Sequence, residues 1–493
     1  MDRQYPVVGG VVIGAPQGRS GKTTVTLGLC AALRRSGLSV QPFKKGPDYI
    51  DPSWLSEAAG RACRSLDPFF LQGEAALQEA FWQGMAGAQF GVVEGNHGLY
   101  DSAAGDGQED DGQGSTAAVA RALGAPVLLV INAARMGRSA AALVAGYLHF
   151  EPETPIRGVI LNNVSGSRHE SRLRRAIEAH CGVPVLGALG RDEALAIPDR
   201  HLGLVPRGEE DGLLPAIAAC REAVERGVEV EEVVRIGGDL SPRPPSRGGK
   251  GETMGAGEVG MASLTPPWPS PLAGRGEAAL PGSGTVVGVI RDRAFSFYYA
   301  ENLEALERAG GRLVFLDALR DERLPAGLGA LVIGGGFPEV FMDALQANAG
   351  LRGEIRRAVE HGLPVYAECG GLMYLSRGIT WQGRRAEMVG ALPVEVEMTG
   401  KPQGHGYVLA QVDAPNPFFL AGTVLRGHEF HQSRLIGLTD GLATGMQLSR
   451  GRGLGGGRDA IVYRNVWASY THLHAAGAPQ WAEGVVQSAQ AGG

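Results

Sequence analysis

The sequence predicts an α/β protein of two domains with mainly parallel sheets. Short unbroken apolar runs recur along the chain, amphipathic stretches such as ENLEALERAG separate them, and one long composition break divides them into two sets. Unbroken runs of this length suit strands covered by helices on both faces, as in parallel sheets. Length agrees, since 493 residues exceed one ordinary domain of about 150.

Before the break the runs are VVGGVVIG, GVVEG, APVLLVIN, RGVILNN and PVLGALG; after it they are TVVGVIRD, RLVFLDA, ALVIGGG and LPVYAEC. The break itself, residues 237–284, is rich in Gly, Pro and Ser and has no apolar periodicity. Such a segment buries too little surface to offset its ordering entropy, so it reads as a flexible linker. The expected organisation is a first domain at 1–236, the linker at 237–284 and a second domain at 285–493. A shorter acidic stretch, GDGQEDDGQG at 105–114, reads as a mobile loop.

Composition narrows the function classes. A net charge of -6 and a pI near 6.0 leave no basic footprint for nucleic acid. No run approaches the roughly 20 apolar residues of a membrane span, and MDRQYPVV lacks the apolar core of a signal peptide. Five cysteines without paired spacing point to a reducing compartment, hence the cytoplasm.

The first strand runs into GAPQGRSGKTT, residues 14–24. A Gly-rich turn opening a helix offers backbone N–H groups to phosphate, a lysine reaches the terminal phosphates, and a Thr hydroxyl holds Mg²⁺. Gly18, Gly21, Lys22, Thr23 and Thr24 are therefore the expected ATP-binding residues, although Pro16 departs from the strict spacing. KKGPDYIDP places Asp48 after the second presumed strand, and VVEGNHGLYD places Glu94 at the end of another. Open α/β sheets bind ligands at such strand ends, and Mg²⁺ takes a few hard oxygens plus phosphate. Thr23, Asp48 and Glu94 are the expected metal set.

The last run leads into AECGGLMYL, residues 367–375. Small residues two positions either side of Cys369 allow a sharp strand-to-helix corner, the setting of an exposed nucleophile. Backbone N–H groups and the helix N-terminus are expected to lower its thiol pKa. A nucleophilic cysteine commonly needs a histidine base. His405, His428, His431, His472 and His474 lie downstream, and spacing alone does not choose among them.

Together GAPQGRSGKTT, KKGPDYIDP, EGNHGLYD, RHLGLVP, RDRAFSFYYAENL, GGGFPE, AECGGLMYL, GHEFH and SYTHLH resemble the cobyrinic acid a,c-diamide synthases. The resemblance follows the chain in order, apart from the linker. It implies an N-terminal P-loop domain like dethiobiotin synthetase joined to a C-terminal class I glutamine amidotransferase-like domain. It also implies an ATP- and Mg²⁺-dependent amidoligase that takes nitrogen from glutamine. The family's Y-x-H pattern falls on Tyr470-Thr471-His472, which selects His472 as base, and its oxyanion hole falls on Gly335 of GGGFPE and on Gly370. The acid usual two residues after the histidine is absent, since His474 stands there; Glu429 is the stand-in considered.

The implied substrate is a tetrapyrrole polycarboxylate, cobyrinic acid first. Its carboxylates suggest Lys44, Lys45, Arg200 and His201 as partners, with Arg138, Arg168 and His169 behind them. Lys45 and His97 depart from the family pattern and, with PQGHGY and NPFF, point to sirohaem as an alternative substrate. A second alternative is a P-loop partner-binding switch ATPase with a degenerate tail. A homodimer completes the expectations, with neither a nucleic-acid nor a membrane partner.

Overall fold

The computed structural model describes residues 9–102, 112–195, 213–238, 240, 284–437 and 442–491, and the backbone of 199–200 and 203–204. The linker and acidic-loop readings thus lie almost wholly outside the described residues. The chain divides into two compact units, Met1–Ser270 and Pro271–Gly493.

In the first unit the apolar runs form β1 (Gly9–Gly14), β2 (Val40–Lys44), β3 (Arg64–Ser65), β4 (Phe90–Glu94), β5 (Val127–Asn132), β6 (Ile156–Val164) and β7 (Val185–Gly190). They pair in the order β3-β2-β4-β1-β5-β6-β7, and every ladder is parallel. Val11, Val12, Ile13 and Leu128–Ile131 are fully buried, as expected of central strands under helices. Each such side chain contributes about 1.5–3 kcal/mol relative to exposure. The order places β2, β4 and β1 side by side, so the residues that follow them meet at one edge. A short ladder of β8 (Asp199–Arg200) and β9 (Gly203–Leu204) follows.

The second unit begins with β10 (Thr285–Ile290), β11 (Gly311–Leu316), β12 (Leu328–Ile333) and β13 (Val365–Glu368). Then come β14 (Gly378–Trp381), β15 (Arg384–Glu387), β16 (Glu395–Met398), β17 (Gly404–Val412), β18 (Val424–His431) and β19 (Ser433–Ile436). The last are β20 (Thr444–Arg450), β21 (Arg458–Tyr463), β22 (Val466–Ser469) and β23 (His472–Leu473). Ten of these form one sheet ordered β11-β10-β12-β13-β22-β21-β20-β17-β18-β23, and β15-β14-β16-β19 form a smaller one. The large sheet is parallel from β11 to β22 and antiparallel from β22 onward. The antiparallel half has strands that alternate buried and exposed positions, as in β17 and β20, which is why unbroken apolar runs did not announce it. Among the described residues no helix is long and apolar enough to cross a membrane.

Candidate active sites

In the first unit, β1 ends at Gly14, the loop crosses Gly18 on an exposed crest, and the helix Lys22–Arg35 begins after Gly21. Gly21 has φ 98°, and a Cβ there would lie 2.0 Å from Nδ2 of Asn162, so both backbone and space require glycine. Asn162 in turn donates to the Ser20 carbonyl at 3.0 Å, fixing the loop from β6. Lys22 is buried and donates to the carbonyls of Gln17 (3.2 Å) and His97 (2.6 Å). The expected Mg²⁺ residues Thr23 and Glu94 touch, Thr23 Oγ1 donating to Glu94 Oε1 at 2.7 Å.

Lys44 stands at the centre of this cluster rather than at its rim. Its ammonium donates to Glu94 Oε1 at 3.1 Å and to Asp51, and lies 3.9 Å from Asp48 Oδ2. Asp48 spends Oδ1 on the backbone N–H groups of Ile50 (2.8 Å) and Asp51 (3.3 Å), at the start of the helix Ile50–Ala59. Crowded charges in a buried place perturb one another. Burial pulls Lys22 down to about 8 even though Glu94 pulls it up. Burial, with Asp51 next, pushes Asp48 up to about 8. Burial also raises Glu94 against the effect of Lys44. For Lys44 burial opposes the charge, but Asp51, Glu94 and Asp48 together hold it above the usual lysine value.

The fit of this cluster to a divalent cation rests on Glu94, whose Oε2 is buried with no hydrogen-bond partner among the described residues. Beside the loop, a cavity of about 270 Å³ is lined by Thr24, Asn162, Asn163, Arg191, Asp192 and Leu195. A larger one of about 740 Å³ lies by Pro126, Pro155 and Pro184, at the opposite ends of β5–β7 and away from this chemistry. Of the expected carboxylate partners, Lys45 is buried and gives its backbone N–H to Glu94 O at 2.9 Å. Arg138 and Arg168 are exposed beyond β5 and β6, and His169 is bound to the Met136 carbonyl at 2.7 Å. The Arg200 side chain and His201 lie outside the described residues.

In the second unit Cys369 follows β13 with φ 45° and ψ -97° and precedes the short helix Gly370–Leu375. A non-glycine residue in such a conformation carries about 1–3 kcal/mol of strain, met characteristically at reactive positions. Its N–H donates to Ser469 O at 2.7 Å and its carbonyl accepts from Met373 N at 3.0 Å. The thiol is not activated as its helix-end position suggests. Burial, then the Glu339 charge, raises its pKa, and the Gly370 N–H offsets only part of this. A thiol whose pKa is raised in this way calls for a base to take its proton.

The GGGFPE loop lies between the two expected catalytic residues. A Cβ on Gly335 would strike the His472 ring at 2.4 Å, and one on Gly370 would come 3.0 Å from Gly336 N. The motif RDRAFSFYYAENL supports this loop: Tyr298 OH accepts from Gly334 N at 2.7 Å, and Phe337 N donates to Ala294 O at 3.0 Å. The other histidines are engaged elsewhere. His405 packs on Phe430, His431 stacks on Tyr470 at 3.7 Å, and His474 meets Tyr299 edge-on at 4.7 Å. His428 stacks on His472 at 5.0 Å and is held neutral by burial and by the other histidines.

Glu429 does not serve His472. Its carboxylate accepts from Arg452 N (2.6 Å) and Gly453 N (2.7 Å) and lies 3.6 Å from His431. The carboxylate beside His472 is Glu368, with Oε2 3.4 Å from Nδ1. Sequence reasoning passed over it because the partner acid is sought after the histidine, whereas this one precedes the cysteine. Asp459, which binds the Tyr470 and Thr471 amides, and Asn302, which binds Leu473, were missed as well. Asn302 lies inside RDRAFSFYYAENL and Asp459 in none of the quoted motifs, and both act only through the folded chain.

Residues 286–480 match the CobB/CobQ-like glutamine amidotransferase domain family, and residues 11–205 match the CobQ/CobB/MinD/ParA nucleotide binding domain family. The chain is 43% identical to the cobyrinate a,c-diamide synthase of Magnetococcus marinus, over 95% of each chain. It is 40% identical to that of Methanothermobacter thermautotrophicus, over 97% of this chain and 99% of the relative. It is 41% identical to the hydrogenobyrinate a,c-diamide synthase of Streptomyces coelicolor, over 95% of each.

Proposed function

Because the chain belongs to the cobyrinate a,c-diamide synthase family, we propose that it amidates the a and c acetate groups of a corrin, using glutamine for nitrogen and ATP for activation. The observation that carries this reading is the presence, in one chain, of the buried Lys22–Glu94–Lys44 cluster and the Cys369–Gly335–His472 arrangement. A carboxylate is a poor electrophile. Transfer of the γ-phosphoryl group to it gives an acyl phosphate and ADP, and Lys22 places a positive charge where the transferring oxygens develop negative charge. Thr23, Glu94 and Asp48 would hold Mg²⁺, which when bound supplies further charge to the phosphate oxygens. The cavity beside Thr24 offers the Asn162 and Asn163 amides and the apolar Leu195 to the base of the nucleotide.

At the second site the thiol proton passes to His472 as sulfur adds to the amide carbon of glutamine. Backbone N–H groups of Gly370 and the Gly335 loop face the oxyanion, each such donor being worth about 2.7–4 kcal/mol. The C–N bond breaks, His472 protonates the leaving ammonia, and water hydrolyses the thioester to glutamate. Ammonia then displaces phosphate from the acyl phosphate, forming the amide.

The test is incubation with ATP, Mg²⁺ and glutamine plus cobyrinic acid, hydrogenobyrinic acid or sirohaem, read by mass spectrometry. Two successive carboxylate-to-amide conversions on a corrin are expected. Conversion of sirohaem alone would overturn the substrate, and ATP turnover without nitrogen transfer would favour the switch ATPase.

A further inference from the structure

We infer that Glu368, the residue before the nucleophile, is the positioning acid of the glutaminase site, acting on His472 from the cysteine's own strand. This rests on the glutaminase reading of Cys369 and His472. Strand alternation puts Tyr366 and Glu368 on one face of β13, and Tyr366 is anchored there by Phe418 and Trp481. Glu368 Oε1 accepts from Tyr366 OH at 2.8 Å and from Leu473 N at 2.9 Å. With that oxygen fixed from two sides, Oε2 comes to rest 3.4 Å from His472 Nδ1.

The histidine is fixed as firmly. Asp459 is fully buried and accepts from Tyr470 N (3.1 Å), Thr471 N (2.9 Å) and Thr471 Oγ1 (2.6 Å). On the other side Asn302 donates to Leu473 O at 2.8 Å and accepts from Ala475 N at 2.7 Å. The turn carrying His472 is thereby held at both ends, and Glu368 holds its middle.

A carboxylate only accepts hydrogen bonds. Facing Nδ1, it selects the tautomer with the proton on Nδ1 and leaves the Nε2 lone pair to take the thiol proton. It also stabilises the imidazolium that then forms. His474 occupies the usual place of an acid but faces Tyr299 and Glu301, so Glu368 supplies that function from the opposite chain direction.

Glu368→Gln separates this role from a structural one. Glutamine keeps the Oε1 acceptor for Tyr366 and Leu473 but presents an amide donor to Nδ1, which favours the tautomer with Nε2 protonated. Glutaminase kcat is expected to fall about a hundredfold or more, as when the acid of such a triad becomes an amide. KM for glutamine should stay within about threefold, because the acid does not touch substrate. Amidation from ammonium salt should be unchanged. The pH midpoint for alkylation of Cys369 by iodoacetamide should move upward, because an Nε2 that already carries a proton cannot take the thiol's, and this outweighs the small direct lowering from losing the Glu368 charge. Tyr366→Phe, which loosens Oε1 but keeps the ring packing, should move the same readouts in the same direction by roughly three- to tenfold in kcat.

The inference is overturned if Glu368→Gln keeps kcat within about threefold of the parent enzyme, or if KM alone changes. An unmoved alkylation midpoint overturns it as well. Should Glu368→Gln melt markedly lower than the parent, the midpoint in Tyr366→Phe decides alone. Cys369→Ala run in parallel separates the two levels: if it retains glutamine-dependent amidation, the underlying site reading fails and Glu368 with it.

Discussion

The two candidate sites hold reactive groups by opposite means. In the first unit Lys22, Lys44, Asp48, Asp51 and Glu94 crowd at the ends of β1, β2 and β4, and the protonation of Lys22, Lys44, Asp48 and Glu94 depends on the charges around them. In the second, a thiol and an imidazole are placed by backbone strain and by hydrogen bonds that Glu368 and Asp459 accept and Asn302 donates. A charge cluster is tuned by whatever binds it. A hydrogen-bonded constellation is fixed before anything binds, so the first site should respond to pH and metal and the second to single atoms.

The sharpest way to break this contrast is to remove the nucleophile. Cys369→Ala should abolish glutamine-dependent amidation, a loss of about a thousandfold or more, since no other group forms the thioester. Amidation from ammonium salt should survive within about twofold, because acyl-phosphate chemistry needs no thiol. Loss of both activities in a folded variant would contradict the division of labour.

Next in size is Lys22→Ala, which removes the charge aimed at the transferring phosphoryl group. Amidation from either nitrogen source should fall about a hundredfold or more. Glutamine hydrolysis at Cys369 should persist, as it involves no phosphate. If hydrolysis disappears too, the second site is not fixed in advance as its hydrogen bonds indicate.

The sequence disclosed these sites unequally, and the reason is physical. Lys22, Thr23 and the glycines before them work as one local loop, so their spacing carries the information. Asp48 and Glu94 follow apolar runs that parallel pairing brings side by side. Cys369 was legible from its small neighbours and His472 only by resemblance, because any of five histidines suited the spacing. Glu368, Asp459 and Asn302 act across separations of 105, 12 and 171 residues, so although Glu368 and Asn302 lie inside quoted motifs, no local spacing states what they hold. Lys44 was read as a substrate contact because its burial between three carboxylates exists only after β2 and β4 pair.

A smaller effect tests how the first site responds to protons. Burial and Asp51 push Asp48 up to about 8, so below that pH a proton competes with Mg²⁺ for its carboxylate. A raised carboxylate pKa means the metal-ready form is gained as pH rises. The Mg²⁺ concentration for half-maximal amidation should therefore fall up to about tenfold per pH unit on approaching 8, and level off above it. Asp48→Asn should flatten that slope and raise the requirement, as should Glu94→Gln, because each exchanges a charged ligand for a neutral one. Curves that match the parent at every pH would remove both carboxylates from the metal site.

The least effect is expected where the acid of other class I amidotransferases would stand, two residues past His472. His474 accepts from Ala476 N at 3.1 Å through Nδ1, packs edge-on to Tyr299, and points Nε2 toward Glu301 at 3.9 Å. His474→Asn retains an acceptor near the Nδ1 position and loses mainly ring packing. Stability should fall by about 1 kcal/mol, visible as a lower melting temperature. Glutaminase kcat should remain within about threefold, because nothing that His474 holds bears on the tautomer of His472. The measurement pairs this variant with Glu368→Gln in the same assay. A drop in kcat for His474→Asn comparable to that of Glu368→Gln would mean that the imidazole is oriented from its own loop, and that the second site is no more prearranged than the first.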